Sequence, residues 1–147
     1  MTPRDLTAAR LLTEEGKERL LYNDKTDAPV NCKPNGNVTG GIGHNFEIPM
    51  SDKLIAAILN CDLDEIEVPL LATYWYPVLD IPRQSVFLDV TFNVGVHGMM
   101  NFPKCIAAAY AKNWAEAAAQ LLDSDAAREL PKRFANLATI LQTGVAT

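Results

Sequence analysis

Apolar positions near the N-terminus recur at helical spacing, with Leu6, Ala9, Leu12 and Thr13 following Thr2, Pro3 and Asp5. A capping hydroxyl at Thr2, proline at the first helical position and an acid at the third predict a helix from Pro3 toward Gly16. Glu14 and Glu15 fall in its last turn, where the helix dipole is negative. A carboxylate at that end points to a role other than helix stability.

From Leu20 to Phe46 the helical period is lost. Asp, Pro, Asn and Gly cluster, Asn35-Gly36 reads as a hairpin turn, and Val38 to Gly43 reads as strand and turn. The period returns at Ser51, before a run to about Asn60, and Asp62 to Glu65 open a second run to about Tyr74, broken by Pro77. Asp80 and Pro82 open a helix whose Val86, Phe87, Val90 and Val94 share one buried face. Asn101 with Pro103 starts another, and Asn113 with Glu116 forms a capping box; Ser124 and Pro131 start the last pair, and Gly144 ends the series. These elements predict an α+β fold with a small N-terminal β-containing lobe and a larger C-terminal helical lobe.

With 147 residues the chain should bury about 68–70% of its unfolded surface, enough for one core. At 48% hydrophobic and 21% charged it is neither collagen-like, coiled-coil nor disordered. A net charge of -5 offers phosphate backbones nothing general to hold, which argues against nucleic-acid binding. Cys32, Cys61 and Cys105 form no CxxC and leave one unpaired in any disulfide scheme, so they read as thiols of a reducing compartment. No signal-peptide run and no membrane-length apolar stretch is visible, so synthesis in a cytoplasm is expected.

Three local features carry chemistry: Glu15-Gly16 at a helix end, Tyr22-Asn23-Asp24, and Thr39-Gly40-Gly41-Ile42-Gly43-His44. Singly, each has a bland reading as surface acid, Asx turn or glycine turn. In this order and spacing they resemble the glycoside hydrolase family typified by T-even phage lysozyme, whose signature runs Glu-Gly, Tyr-x-Asp and Thr-x-Gly-x-Gly-His. Further along, Phe92-Asn93-Val94-Gly95, Phe102, Trp114 to Ala118, Leu130 to Arg133 and Thr143-Gly144 are similar to that family's C-terminal lobe.

The resemblance implies one lysozyme domain over 1–147. Its small lobe spans about 15–60, a helix at 62–75 links the lobes, and the helical lobe takes 76–147 together with an N-terminal helix at 3–14. It implies a muramidase that cleaves the β-1,4 bond between N-acetylmuramic acid and N-acetylglucosamine, probing peptidoglycan as a monomer, with no cofactor, metal or stable membrane association. Such an enzyme would be a phage endolysin or virion lysozyme, made in the host cytoplasm and acting on the periplasmic wall.

Glycoside hydrolysis needs a proton donor and a second carboxylate across the sugar, and Glu15 and Asp24 supply them. By resemblance Thr39 helps hold the water that Asp24 orients, and Arg133 approaches and orients Glu15. Burial in a cleft disfavours the charged form of Glu15 and an arginine favours it, so the net shift stays open. The family's sugar-contacting positions fall on Asn45, Phe92, Cys105 and Gln120, with Asn45 replacing an apolar residue and Cys105 a hydroxyl. Phe92 reads equally as core. The same alignment pairs His44 with Asp62 in an ion pair. A departure is the stretch from Lys25 to Val38, longer than the family's tight hairpin, which leaves Asp24 or Asp27 facing the cleft, with the Tyr22-Asn23 context favouring Asp24. Two other readings remain: a noncatalytic peptidoglycan-binding domain on the same fold, and a glycosidase of chitin-type polymers.

Overall fold

The computed structural model describes residues 1–14, 21, 39–42, 44–46 and 48–146. Helix α1, Pro3–Glu14, is closed at its start by a reciprocal pair: the Asp5 amide donates to Thr2 Oγ1 at 3.2 Å and the Thr2 amide to Asp5 Oδ2 at 2.7 Å. Then come strands β1, Thr39–Gly40, and β2, His44–Asn45, and helix α2, Asp52–Leu71. A 3₁₀ turn at Tyr76–Val78 precedes α3, Ile81–Met100. Helices α4, Pro103–Tyr110, α5, Trp114–Leu122, α6, Asp125–Glu129, and α7, Pro131–Thr143, complete the order.

The α+β expectation is corrected: about three-quarters of the described residues are helical, and extended pairing among them is confined to two residues against two. Thr39 faces Asn45 and Gly40 faces His44, antiparallel. The glycines explain why a β lobe was expected and a turn is found. Gly41, at φ +59°, adopts the left-handed conformation that reverses the chain at once, so the strand-like run is consumed by the turn. A ladder so short lacks the apolar face a stable sheet needs. The hairpin expected at Asn35-Gly36 lies outside the described residues.

Two runs expected from Ser51 to Asn60 and from Asp62 to Tyr74 are one helix, α2, capped by Ser51, whose Oγ accepts the Leu54 amide at 3.2 Å. No glycine or proline separates Asn60 from Asp64, and Leu59, Leu63, Ile66 and Leu70 hold one packed stripe across the junction. Asp62 is therefore a mid-helix surface residue and not a cap. Helix α3 begins as its sequence predicts, with Asp80 Oδ1 accepting the Arg83 amide at 3.0 Å, and it is interrupted at Gly95 (φ 75°, ψ 165°). Asn113 and Ser124 likewise cap α5 and α6, whereas α4 is preceded by Phe102 with no side-chain cap, in place of Asn101.

Helix α3 is the centre of the packing, touching α1, α2 and α7, while α5 packs on α4 and α7. Val86, Phe87, Leu88 and Val90 are fully buried against Leu63 and Leu70 of α2, Tyr76, and Phe134, Leu137, Ile140 and Leu141 of α7. The end of α7 is clamped by Arg83 of α3. Its Nε donates to the Leu141 carbonyl at 2.8 Å and its Nη2 to the Gln142 carbonyl at 3.2 Å; it also pairs with Asp80 and lies 3.9 Å from the Trp114 ring centroid. One cation thus satisfies carbonyls left open at a helix C-terminus and sits where the dipole favours it.

Gly144 ends α7 at φ 71°, and a Cβ there would lie 2.6 Å from Arg83 Nη1. Arginine tips usually move aside, but this one is held from four directions. Gly144→Ala should therefore lower unfolding stability by about 1–3 kcal/mol, read as a reduced urea midpoint at unchanged slope. An unchanged midpoint would show that the clamp yields freely.

Candidate functional site

The most deeply buried charge among the described residues, Asp89, lies where α1, α3 and α7 converge. On α3, Ser85 and Asp89 are one turn apart and face α1, and both are fully buried. From α1, Thr7 Oγ1 donates toward the Ser85 carbonyl at 3.0 Å. Arg10 places Nε 3.0 Å from Asp89 Oδ2, and its Nη2 reaches the Ser85 carbonyl at 2.8 Å and Ser85 Oγ at 3.2 Å. From α7, Arg133 places Nε 3.0 Å and Nη2 2.9 Å from Asp89 Oδ1. One carboxylate thus serves two guanidiniums, one on each oxygen.

Local sequence explains why these side chains are where they are. Arg133 sits in the first turn of α7, just after Pro131, where a cation opposes the helix dipole, so its place is explained by the partner and not by the helix. Asp89 interrupts the apolar run Val86-Phe87-Leu88-Asp89-Val90 on the buried face of α3. That interruption was the signal available for Asp89, since an acid inside a core-facing run requires a buried partner. Arg10 had a weaker signal, one cation on the face shared by Thr7 and Leu11.

Of the catalytic set expected from the sequence, Glu15 and Asp24 lie outside the described residues, as does Asp27. Thr39 opens β1 opposite Asn45, which is half-buried. Arg133 is the member whose side chain is described, and it is locked to Asp89.

Cys105 and Gln120 come together on a groove of about 520 Å³ between the end of α3, the start of α4 and the α5–α6 corner, also lined by Phe102, Lys104 and Asp125. Their chemistry differs from the expectation. Cys105 is 1% exposed and its thiol donates to the Ala117 carbonyl at 3.3 Å, so its proton is committed to the fold. Gln120 Nε2 donates to Glu116 Oε1 at 2.9 Å, one turn back on α5, and remains accessible. Phe92 is half-buried against the core and is not part of the groove lining.

The expected ion pair between His44 and Asp62 is corrected as well. Both are exposed, and among the described residues no salt bridge joins them. The His44 ring instead meets Phe46 edge-on at 4.9 Å, and the continuous α2 leaves Asp62 on its solvent face. A second polar cluster, unforeseen in the sequence, ties α1 to α2. The Tyr76 hydroxyl donates to Glu67 Oε1 at 3.1 Å, while Arg4 pairs with Glu67 and Asp64. Burial, reinforced by the Glu67 charge, holds the Tyr76 phenol well above its ordinary pKa.

No helix of the described residues is long and apolar enough to cross a membrane. No protein-family model matches the chain, and no curated protein matches it significantly.

Burial pushes the Cys105 thiol up to about 12. A raised folded value means that the stability tied to this group is complete below its ordinary value of about 8.5 and is lost as pH climbs toward the folded one. In a Cys32→Ser, Cys61→Ser protein, Cys105 should resist a disulfide-exchange reagent at pH 8 and react promptly in urea. Native-state labelling at the rate of a free thiol would contradict its burial.

Proposed function

We propose that this protein is a peptidoglycan muramidase, an inverting glycoside hydrolase serving bacterial wall lysis as a phage endolysin or virion lysozyme. The observation that carries the reading is the ordered set Glu15, Asp24 and Thr39 in the sequence, together with a buried arginine at 133. The structure supports it at that one point: Arg133 belongs to a charge cluster that also holds Arg10, five residues before Glu15 in the chain.

In this reading Glu15 protonates the glycosidic oxygen as the bond to the anomeric carbon of N-acetylmuramic acid breaks. Asp24 accepts a proton from a water on the opposite face of the sugar, and that water attacks the anomeric carbon. The Thr39 hydroxyl is a second anchor for the same water. A carboxylate attacking directly would need no such anchor, which is why the pairing of Asp24 with Thr39 favours inversion. Inversion further requires about 6.5–9.5 Å between the two carboxyls, against about 5–5.5 Å for a covalent route. Arg133 orients Glu15 and answers its charge after proton transfer. The net charge of -5 does not help approach to a wall that carries carboxylates, so moderate salt should assist lysis.

Glu15→Gln keeps the shape and removes the proton, so clearing of chloroform-treated Gram-negative cells should fall by about 10²- to 10⁴-fold with the circular dichroism spectrum unchanged. A Gln variant that clears walls at the parent rate would remove Glu15 from the mechanism. The same assay beside a chitooligosaccharide separates the three readings: walls cleared and chitin spared for a muramidase, chitin cleaved for a chitin-type glycosidase, neither for a binding domain. Proton NMR of the first product from a defined fragment should show the α anomer, and Thr39→Ala should slow turnover without unfolding. If the β anomer forms first, the water-positioning roles of Asp24 and Thr39 fall.

A further inference from the structure

We infer that Asp89 is a positioning residue, fixing the guanidinium of Arg133 for the proposed hydrolysis while Arg10 fixes Asp89 in turn. The inference rests on the muramidase reading, because the reaction is what reports it. Asp89 is fully buried in the middle of α3, and both of its oxygens are engaged, Oδ1 by Nε and Nη2 of Arg133 and Oδ2 by Nε of Arg10. The Nε hydrogen bond to Oδ1, with Nη2 of the same edge in ion-pair contact with that oxygen at 2.9 Å, restricts how the guanidinium can turn, and with it the direction of its remaining N–H groups. Asp89 cannot drift, because Arg10 on its far side is tied by Nη2 to the carbonyl and hydroxyl of Ser85, one turn back on the same helix.

A cluster that served stability alone would need neither the second cation nor the geometry. Apolar side chains of similar volume often hold such a junction as well or better, since burying charges carries a large desolvation cost. Here two arginines share one acid, and the second arginine stands at a helix start that disfavours it. Such an arrangement suits a guanidinium whose orientation matters. A displacement of about 1 Å in a positioning group can slow a reaction by about 10²-fold.

The test measures kcat and KM on a soluble peptidoglycan fragment for the parent, Glu15→Gln, Asp89→Asn, Asp89→Glu and Arg133→Gln, each scaled to its folded fraction by near-ultraviolet circular dichroism. Asp89→Asn should lower kcat by about 10- to 100-fold while KM stays within about threefold. Asp89→Glu keeps the charge but moves the carboxylate by one methylene, and should also lower kcat, by less. In the Arg133→Gln background, Asp89→Asn should add little further loss, because Asp89 acts through Arg133. Parental kcat per folded molecule in Asp89→Asn overturns the inference, and if that variant does not fold, parental kcat in Asp89→Glu does so. An active parent with inactive Glu15→Gln and fully active Asp89 variants sinks the positioning role alone. A parent that does not cleave the fragment, or a Glu15→Gln that cleaves it normally, sinks the muramidase reading and this inference with it.

Discussion

One buried carboxylate constrains how the helices of this protein can meet. Asp89 is fully enclosed, and a lone carboxylate there would be untenable without compensating charge and hydrogen bonds. It obtains both from helices distant in sequence, Arg10 of α1 and Arg133 of α7. Any packing that moved either helix by a turn would strand a charge, and leaving such a charge unpaired costs about 3–5 kcal/mol. The apolar core supplies most of the drive to collapse, but it is tolerant of small slips. The charge cluster is what makes one arrangement of α1, α3 and α7 preferred over its neighbours.

The other polar clusters repeat the device at the remaining junctions. Arg83 joins the start of α3 to the last carbonyls of α7 and lies against Trp114 of α5. Glu67, with Arg4 and Tyr76, joins α2 to α1 and to the turn that precedes α3. Between these clasps the interior is aliphatic and aromatic, from Leu63 and Leu70 through Phe87 and Leu88 to Phe134 and Leu141. Helix α3 contributes to two of these three clusters, through Asp89 and Arg83, and the third ties α1 to α2. A mobile arginine could not serve at these places. Each one has its guanidinium directed by at least two acceptors or a ring.

Much of the helical half was legible, because caps and prolines act locally. Asp80, Asn113, Ser124, Pro131 and Gly144 mark helix ends that the structure also has, each through a bond or backbone angle within a few residues of the mark. Reading failed where tertiary packing overrode a local signal. The acids at Asp62 to Glu65 look like a helix start, yet the stripe of Leu59, Leu63, Ile66 and Leu70 carries α2 straight through them. The run from Val38 to Gly43 reads as strand and turn, and of its described residues Gly40 pairs with His44 while Gly41 turns the chain, with no lobe-sized sheet among the described residues. At the site, Arg133 stands in a motif, whereas Asp89 shows only as an acid inside a core-facing run and Arg10 more weakly still, and their pairing is not readable because partners 44 and 79 residues apart leave no spacing to read. Cys105 was placed on a sugar by alignment, and burial against Ala117 gives its thiol another use.

The central claim is that this helical scaffold holds an arginine for cleavage at the anomeric carbon of N-acetylmuramic acid. Its most direct test is the identity of the reducing end released from purified peptidoglycan. The fragments would be reduced with borohydride, hydrolysed and analysed by mass spectrometry. The account predicts that the new ends appear as muramicitol, the alcohol of muramic acid. New ends recovered as glucosaminitol, or a digest that releases no reducing ends at all, would contradict it.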